Sequence, residues 1–328
     1  MVRLNVSAGK KISFKDEVYG ELEFDSDSID DQVLLKSDGF PTYHLAVVVD
    51  DHLMEVTHIM RGNDWLPSTP KHILLYKAFG WELPVYIHLP NLKESSGSKK
   101  LSKRGDSSHA SQFLAEGYMP EAVLNFLMFL GWNPGGEKEI YSLDEFVHDF
   151  SIERVHKTDL VAFDRDKLLW LNGHYIRSMS PEDLLERIQV WARKYEVALP
   201  PITIEIIKLV QDRLRKFDEL PGMVAYFFEE PKVTPESLLE FVSDAEKGKQ
   251  VLMDFIQLFS SAKNWNSAEL DLDSHNLIKE KNYKPKEAFM TVRVAVSGTK
   301  VTPPLFDILE LIGKEKTLIR LREALQHV

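Results

Sequence analysis

The sequence predicts an α/β region built on a short parallel sheet, followed by a mainly α segment and an all-α second half. Apolar runs bounded by Gly and Pro turns fill residues 44–90. Past residue 110 the apolar spacing turns helical. From Pro181 onward nearly every segment is an amphipathic helix, with no strand pattern between.

In chain order, KISFKDEVYGELEF alternates apolar and polar residues and predicts extended pieces with a turn at Gly20. VLLKSD leads to a turn at Gly39 and Pro41. The unalternated run from His44 to Asp51 predicts a strand buried on both faces, and Val56–Gly62 a second. Thr69 and Pro70 read as an N-cap and first helical residue, with the helix running through Lys71–Phe79 to Gly80 as C-cap. Pro84–Pro90 predicts another short buried strand, which completes a parallel strand–helix–strand unit. That unit is too small for a complete doubly wound sheet, so half of the sheet is expected to be missing.

Beyond residue 110, Pro120–Trp132 and Ser142–Phe150 have helical spacing, and Ser142 with Glu145 spells a capping box. The later helices are expected in PEDLLERIQVWARKY, TIEIIKLVQDRLRKF, PESLLEFVSDAEKGKQVLMDFIQLF and LFDILELIGKEKTLIRLREAL, each read as one helical segment.

Composition narrows the function. The 328 residues are 44% hydrophobic and 28% charged, enough for several cores. There is no cysteine, which excludes disulfides and thiolate zinc sites and suits a reducing compartment. The first residues lack the apolar stretch of a signal peptide, and no run of apolar residues is long enough to span a bilayer. The net charge of −11 excludes a surface that coats nucleic acid throughout but leaves room for one local basic site. Lys99, Lys100, Lys103 and Arg104 form such a site without an intervening acid, whereas residues 15–31 are crowded with Asp and Glu. His44, His52, His58 and His72 fall in one region without metal-ligand spacing, so no protein-held metal, and no zinc, is expected.

The segment SSGSKKLSKRGDSS, residues 95–108, carries the chemistry most plainly. Gly and Ser make it pliable, and Lys100 and Lys103 are spaced to converge on one anion. It follows the last α/β strand, on the side where open parallel sheets bind ligands. Such cations can stabilise charge that builds on a phosphoryl centre.

Lys100–Arg104, KLSKR, resembles the second signature of class I aminoacyl-tRNA synthetases in its glutamyl and glutaminyl variant. Asp38–Gly62, Thr69–Trp81, FLAEGYMPEAVLNFLMFLGW, Phe163–Arg177 and VRVAVSGTKVTPPLFDILELIGKEKTLIRL are similar to the same family in the same order, so the resemblance spans nearly the whole chain. The helical second half resembles bacterial-type glutamyl enzymes, since glutaminyl and eukaryotic glutamyl enzymes read the anticodon with β-barrels.

The resemblance implies a remnant of a class I Rossmann catalytic domain, then a mainly α stem-contact region and an all-α anticodon-binding region. It divides the chain into 1–37 (end of an inserted acceptor-binding domain), 38–92 (second half of the catalytic domain), 93–178 (signature loop and stem contact) and 179–328 (anticodon binding, subdivided near residue 230). The implied activity joins glutamate to tRNA-Glu with ATP and magnesium, in the cytoplasm or an organelle of bacterial origin, with no membrane partner. Tyr43, Val47 and Arg61 match glutamate-pocket positions. Asp64, Leu92 and Lys103 match ATP contacts, Lys103 and Lys100 the catalytic signature, and Arg213 an anticodon contact. Asn63 departs from the family's usual Glu. No HIGH-like motif is present, so the chain is expected to be the C-terminal two-thirds of such an enzyme and inactive alone. Two other readings are a non-catalytic tRNA-binding relative and a glutaminyl-type ligase, the latter disfavoured by the helical second half.

Overall fold

The computed structural model describes residues 1–95 and 109–328. They form two compact units, one of Met1–Gln112 with Pro120–Leu171, the other of Phe113–Met119 with Asn172–Val328.

In the first unit, strands β1 (Val2–Arg3) and β4 (Val33–Leu35) pair with each other. Strands β2 (Lys11–Asp16) and β3 (Gly20–Asp25) form the antiparallel hairpin that their alternation predicts. Gly20 closes its turn at φ +83°, a left-handed conformation that favours glycine. The inward residues of β2 are Ile12, Phe14 and Asp16, so a carboxylate occupies an apolar strand's core position. Strands β5 (His58–Gly62) and β6 (Val85–Leu89) are parallel, with Arg61 opposite His88, and the sheet order is β3–β2–β6–β5. Helix α2 (Thr69–Phe79) makes the crossover and ends at Gly80 in the left-handed conformation.

The expected strand at His44–Asp51 is instead helix α1 (Tyr43–Leu53). A short apolar run has no period of its own that separates a strand from a helix, and tertiary packing decides. Only Val48 of this run is fully buried, and Leu45 and Val47 pack beside it against Leu4, Leu34, Leu75 and Tyr76. That is one face of a helix lying on α2, not two faces of a strand. Thr42 precedes the helix in extended backbone, its hydroxyl donating to the carbonyl of Val33 at 2.7 Å. Helix α2 also begins one residue earlier than expected: a 3-10 turn, Asn63–Ser68, runs directly into Thr69, which is a helical residue and not the cap.

After helix α3 (Ala110–Ala115), this unit continues with helix α4 (Pro120–Gly131) and helix α5 (Leu143–Asp149), where the capping box of Ser142 and Glu145 is formed. Strands β7 (Asn91–Glu94) and β8 (Leu160–Phe163) are a parallel pair that the sequence reading did not single out. Phe126 of α4 meets Phe163 edge-on at 4.9 Å.

In the second unit the described residues hold helices and no strand. Three of the segments read as single helices are broken. The first stops at Val210 and continues as a 3-10 turn, Gln211–Arg213. The second divides into Pro235–Leu239 and Ala245–Ser261, because Asp244 caps a new helix by accepting from the backbone N–H of Lys247. The third divides at Gly313, φ +85°, into Leu305–Ile312 and Lys314–Gln326. Val251, Phe255, Val292, Leu309 and Leu321 lie at the centre of that core. Arg320, only 1% exposed, satisfies its guanidinium on the carbonyls of Tyr226, Val296 and Glu229, with the Glu230 carboxylate 3.3 Å from its Nε.

Candidate active site at the carboxyl ends of the parallel strands

The βα unit brings polar side chains together where β5 and β6 end, the side on which parallel sheets bind ligands. Arg61 closes β5. His88 sits beside it in register on β6, while the first turn of α2 supplies Thr69 and His72 and the first turn of α1 supplies Tyr43 and His44.

Arg61 is the hub. Its Nε donates to His88 Nε2 at 3.1 Å, its Nη2 to the Thr69 hydroxyl at 2.8 Å, and its Nη1 faces His72 Nδ1 at 3.3 Å. A guanidinium has five N–H donors. The bonds described use three, and a further hydrogen bond links the guanidinium to Tyr43, so Arg61 holds its charge for an anion with Tyr43 at its side. Its charge lies 6.0 Å from the Trp65 ring centre and 5.7 Å from that of Tyr86. The Tyr43 ring stacks at a tilt on Trp65, 4.7 Å between centroids, and is half exposed beside the guanidinium. Tyr86 is buried, its hydroxyl without a hydrogen-bond partner among the described residues, and burial pushes its pKa upward.

The hydrogen bonds assign the histidine protons. Because Arg61 can only donate, His72 Nδ1 and His88 Nε2 both accept. The His72 proton then sits on Nε2 and donates to His44 Nδ1 at 2.9 Å. Burial, with the nearby charge of Arg61, lowers the His72 pKa to about 3, and burial with the charges of Lys71 and Arg61 lowers that of His44. Both rings are therefore neutral at pH 7, adding no second cation to repel Arg61. On the other side, His88 Nδ1 donates to Asp16 Oδ2 at 2.6 Å, and both side chains are fully buried. Burial raises the Asp16 pKa, but the bond from His88 and those from the backbone N–H groups of Tyr19 and Val18 outweigh it and hold it below the usual carboxylate range.

The residues singled out in the sequence are distributed as follows. Tyr43 and Arg61 converge at this site. Val47 points into the core cluster with Leu75 and Tyr76 instead. Asp64 is exposed on the 3-10 turn after β5, its carboxylate 2.6 Å from where a Cβ would stand on Gly62. Asn63 ties this turn to the neighbouring strand pair, donating to the carbonyl of Asp159 at 3.1 Å and bonding with the Asn91 side chain. Leu92 lines an apolar cleft of about 310 Å³ with Met60, Leu89, Leu127 and Trp132. Lys100 and Lys103 lie outside the described residues. In the second unit, Arg213 sits on a 3-10 turn and donates from Nη1 to the carbonyl of Thr302 at 2.6 Å, part of its donor capacity being spent inside the fold.

Nothing in the sequence alone marks Asp16, His88, Thr69 or Trp65 as a site residue. The nearest signals are an acid at an inward position of an alternating strand and a histidine within an apolar one. Among the described residues, no group of three or more His, Cys, Asp or Glu side chains could hold a metal ion, and no helix is long and apolar enough to cross a membrane.

Comparison with known proteins brings these features under one heading. Residues 1–170 match the family described as tRNA synthetases class I (E and Q), catalytic domain, and residues 181–325 match an anticodon binding domain. The glutamate–tRNA ligase of Herpetosiphon aurantiacus is 37% identical over 98% of this chain and 67% of its own length. That of Clostridium botulinum is 38% identical over 94% of this chain and 64% of its own. The crystal structure of a glutamate tRNA ligase from Elizabethkingia meningosepticum, in complex with its amino acid, superposes with a TM-score of 0.83 at 30% identity, covering 99% of this chain and 68% of that one. The chain thus spans about two thirds of the length of its relatives.

Proposed function

This chain belongs to the class I tRNA synthetases of the glutamate and glutamine type, and we propose that it forms the amino acid- and tRNA-recognising part of a glutamate–tRNA ligase. The observation that carries the reading is Arg61: a guanidinium locked by bonds to His88, His72 and Thr69, with Tyr43 hydrogen-bonded alongside, at the carboxyl end of a parallel sheet. A substrate carboxylate is the natural partner of such a group. The names of the relatives point to glutamate.

In the reaction, the α-carboxylate of glutamate attacks the α-phosphorus of ATP and pyrophosphate leaves, forming glutamyl-adenylate. A ribose hydroxyl at the tRNA 3′ end then attacks the carbonyl carbon, and AMP leaves. Arg61 and Tyr43 bind and orient the amino acid, beside the helix that carries Val47. Asp64 and the backbone at Leu92 contact the nucleotide. Lys103, with Lys100, offsets charge growing on the phosphates, while magnesium enters with ATP, held mainly by phosphate oxygens. Arg213 reads the anticodon of tRNA-Glu, and the protein works in the cytoplasm or an organelle of bacterial origin. The sheet described contains a single parallel strand–helix–strand crossover. Residues 1–328 expressed alone should accordingly give no glutamate-dependent ATP–pyrophosphate exchange.

The test is that exchange in the natural full-length polypeptide. Arg61→Ala should raise the KM for glutamate about 10- to 100-fold, the loss of a charge-assisted contact, and leave the KM for ATP nearly unchanged. Exchange that does not depend on glutamate, or an unchanged glutamate KM in the variant, would overturn the reading.

A further inference from the structure

We propose that Asp16 and His88 are positioning residues that set the orientation of the Arg61 guanidinium and thereby its hold on the amino acid; this rests on the reading that Arg61 binds glutamate. The pair is fully buried, where an apolar pair of similar volume would avoid the desolvation of a carboxylate. What it supplies in return is a fixed acceptor. One Asp16 oxygen is taken by the backbone N–H groups of Val18 and Tyr19, each at 2.9 Å, so only Oδ2 is left for His88. That oxygen accepts from Nδ1 at 2.6 Å, which compels the tautomer with a bare lone pair on Nε2. The lone pair meets Arg61 Nε at 3.1 Å, and the Thr69 hydroxyl, itself bonded to Arg61 Nη2, stands 3.3 Å from the same nitrogen.

The backbone makes this arrangement rigid. Arg61 and His88 are register partners on β5 and β6, and Asp16 is the register partner of Tyr86 where β2 meets β6. Three neighbouring strands therefore carry carboxylate, imidazole and guanidinium in a row. With its Nε edge pinned, the guanidinium plane is set before any ligand arrives, and no binding energy is spent on ordering it.

Asp16→Asn separates position from bulk. Its carbonyl can keep the bonds to Val18 and Tyr19, but its amide now donates toward His88 Nδ1. The imidazole must take the other tautomer and set an N–H against the Arg61 Nε–H. In the full-length enzyme the glutamate KM should rise about tenfold or more, with kcat and the KM for ATP changed much less. Adding His88→Gln to this variant places a carbonyl where Nε2 stood and should recover most of the loss. A variant that fails only by misfolding would not be rescued so. If Asp16→Asn does not yield folded protein, single substitutions at His88 decide. His88→Leu should raise the glutamate KM well above His88→Gln, since only Gln still accepts from Arg61.

Arg61→Ala is measured alongside. If it raises the glutamate KM while Asp16→Asn or His88→Leu leaves it unchanged, the positioning role is overturned and the reading of Arg61 stands. If Arg61→Ala itself has no effect, the reading falls first. Equal losses in His88→Leu and His88→Gln, or no rescue of Asp16→Asn, would reduce the pair to a structural element and overturn the proposal.

Discussion

Arg61 and His88 stand opposite one another on neighbouring parallel strands, with the Arg61 Nε–H aimed at His88 Nε2 over 3.1 Å. Parallel register makes this juxtaposition a property of the backbone: a shift of one residue on either strand would send one side chain to the opposite face of the sheet. The guanidinium also faces His72 and Thr69 from the first turn of α2, so its position depends on the crossover helix as much as on the sheet.

The burial of His72 makes stability depend on pH. Its folded pKa is about 3, far below the ordinary histidine value of 6.5, so the unfolded chain binds a proton that the folded chain refuses between those values. Stability is therefore complete above about pH 6.5 and falls as pH drops toward 3, with a slope of at most about 1.4 kcal/mol per pH unit from one histidine. His44 shifts in the same direction. Asp16, with its lowered carboxylate pKa, adds its loss only below the ordinary carboxylate range. Denaturant titrations at pH 6.5 and pH 5 should show His72→Gln with a shallower decline than the parent. An equal decline would mean that His72 is not the titrating group.

Gly117 tests the packing of the second unit. It has φ +85°, and a Cβ there would lie 2.7 Å from the backbone nitrogen of Phe217 and 2.8 Å from that of Asp218. The two strands of backbone are also joined by a bond from Phe217 N–H to the Gly117 carbonyl at 3.0 Å. Gly117→Ala should cost about 2 kcal/mol or more, from backbone strain with overpacking. Gly136→Ala, with open space around it, serves as the control. Thermal melting of both variants checks this, and equal midpoints would refute it.

Lys103→Ala in the full-length enzyme should slow adenylate formation by about 100- to 1000-fold, as for one contact made to charge that develops in the transition state. The KM for glutamate should change little. Single-turnover adenylation measures this directly; an unchanged rate would leave the KLSKR segment without a catalytic role.

Arg213→Ala should lower the preference for tRNA-Glu over an anticodon-swapped variant more than it lowers total binding. Phosphate contacts supply most affinity and weaken with salt, whereas unstacked bases are read by individual side chains. Titrations at two salt concentrations separate these contributions. Because Arg213 also donates to the Thr302 carbonyl, the melting temperature is followed in parallel. Undiminished discrimination would assign the residue to the fold alone.

The sequence by itself determined the hairpin at Gly20, the end of α2 at Gly80, the Ser142–Glu145 capping box and the helical second half. In each, the cause is local: alternation, a left-handed glycine or a cap acts within a few residues of chain. The family and the pairing of Tyr43 with Arg61 were legible too, through motifs in order. Only tertiary structure decided that His44–Asp51 is a helix, since its apolar run suits either form until Leu75 and Tyr76 of α2 offer a single face to cover. Only tertiary structure joined Asp16 to His88 and His88 to Arg61. These residues are 72 and 27 positions apart in the chain, and no periodicity within a segment encodes which strands become neighbours or in what register. Sheet pairing is a bargain between distant segments, and the hydrogen bonds that orient this site exist only once it has been struck.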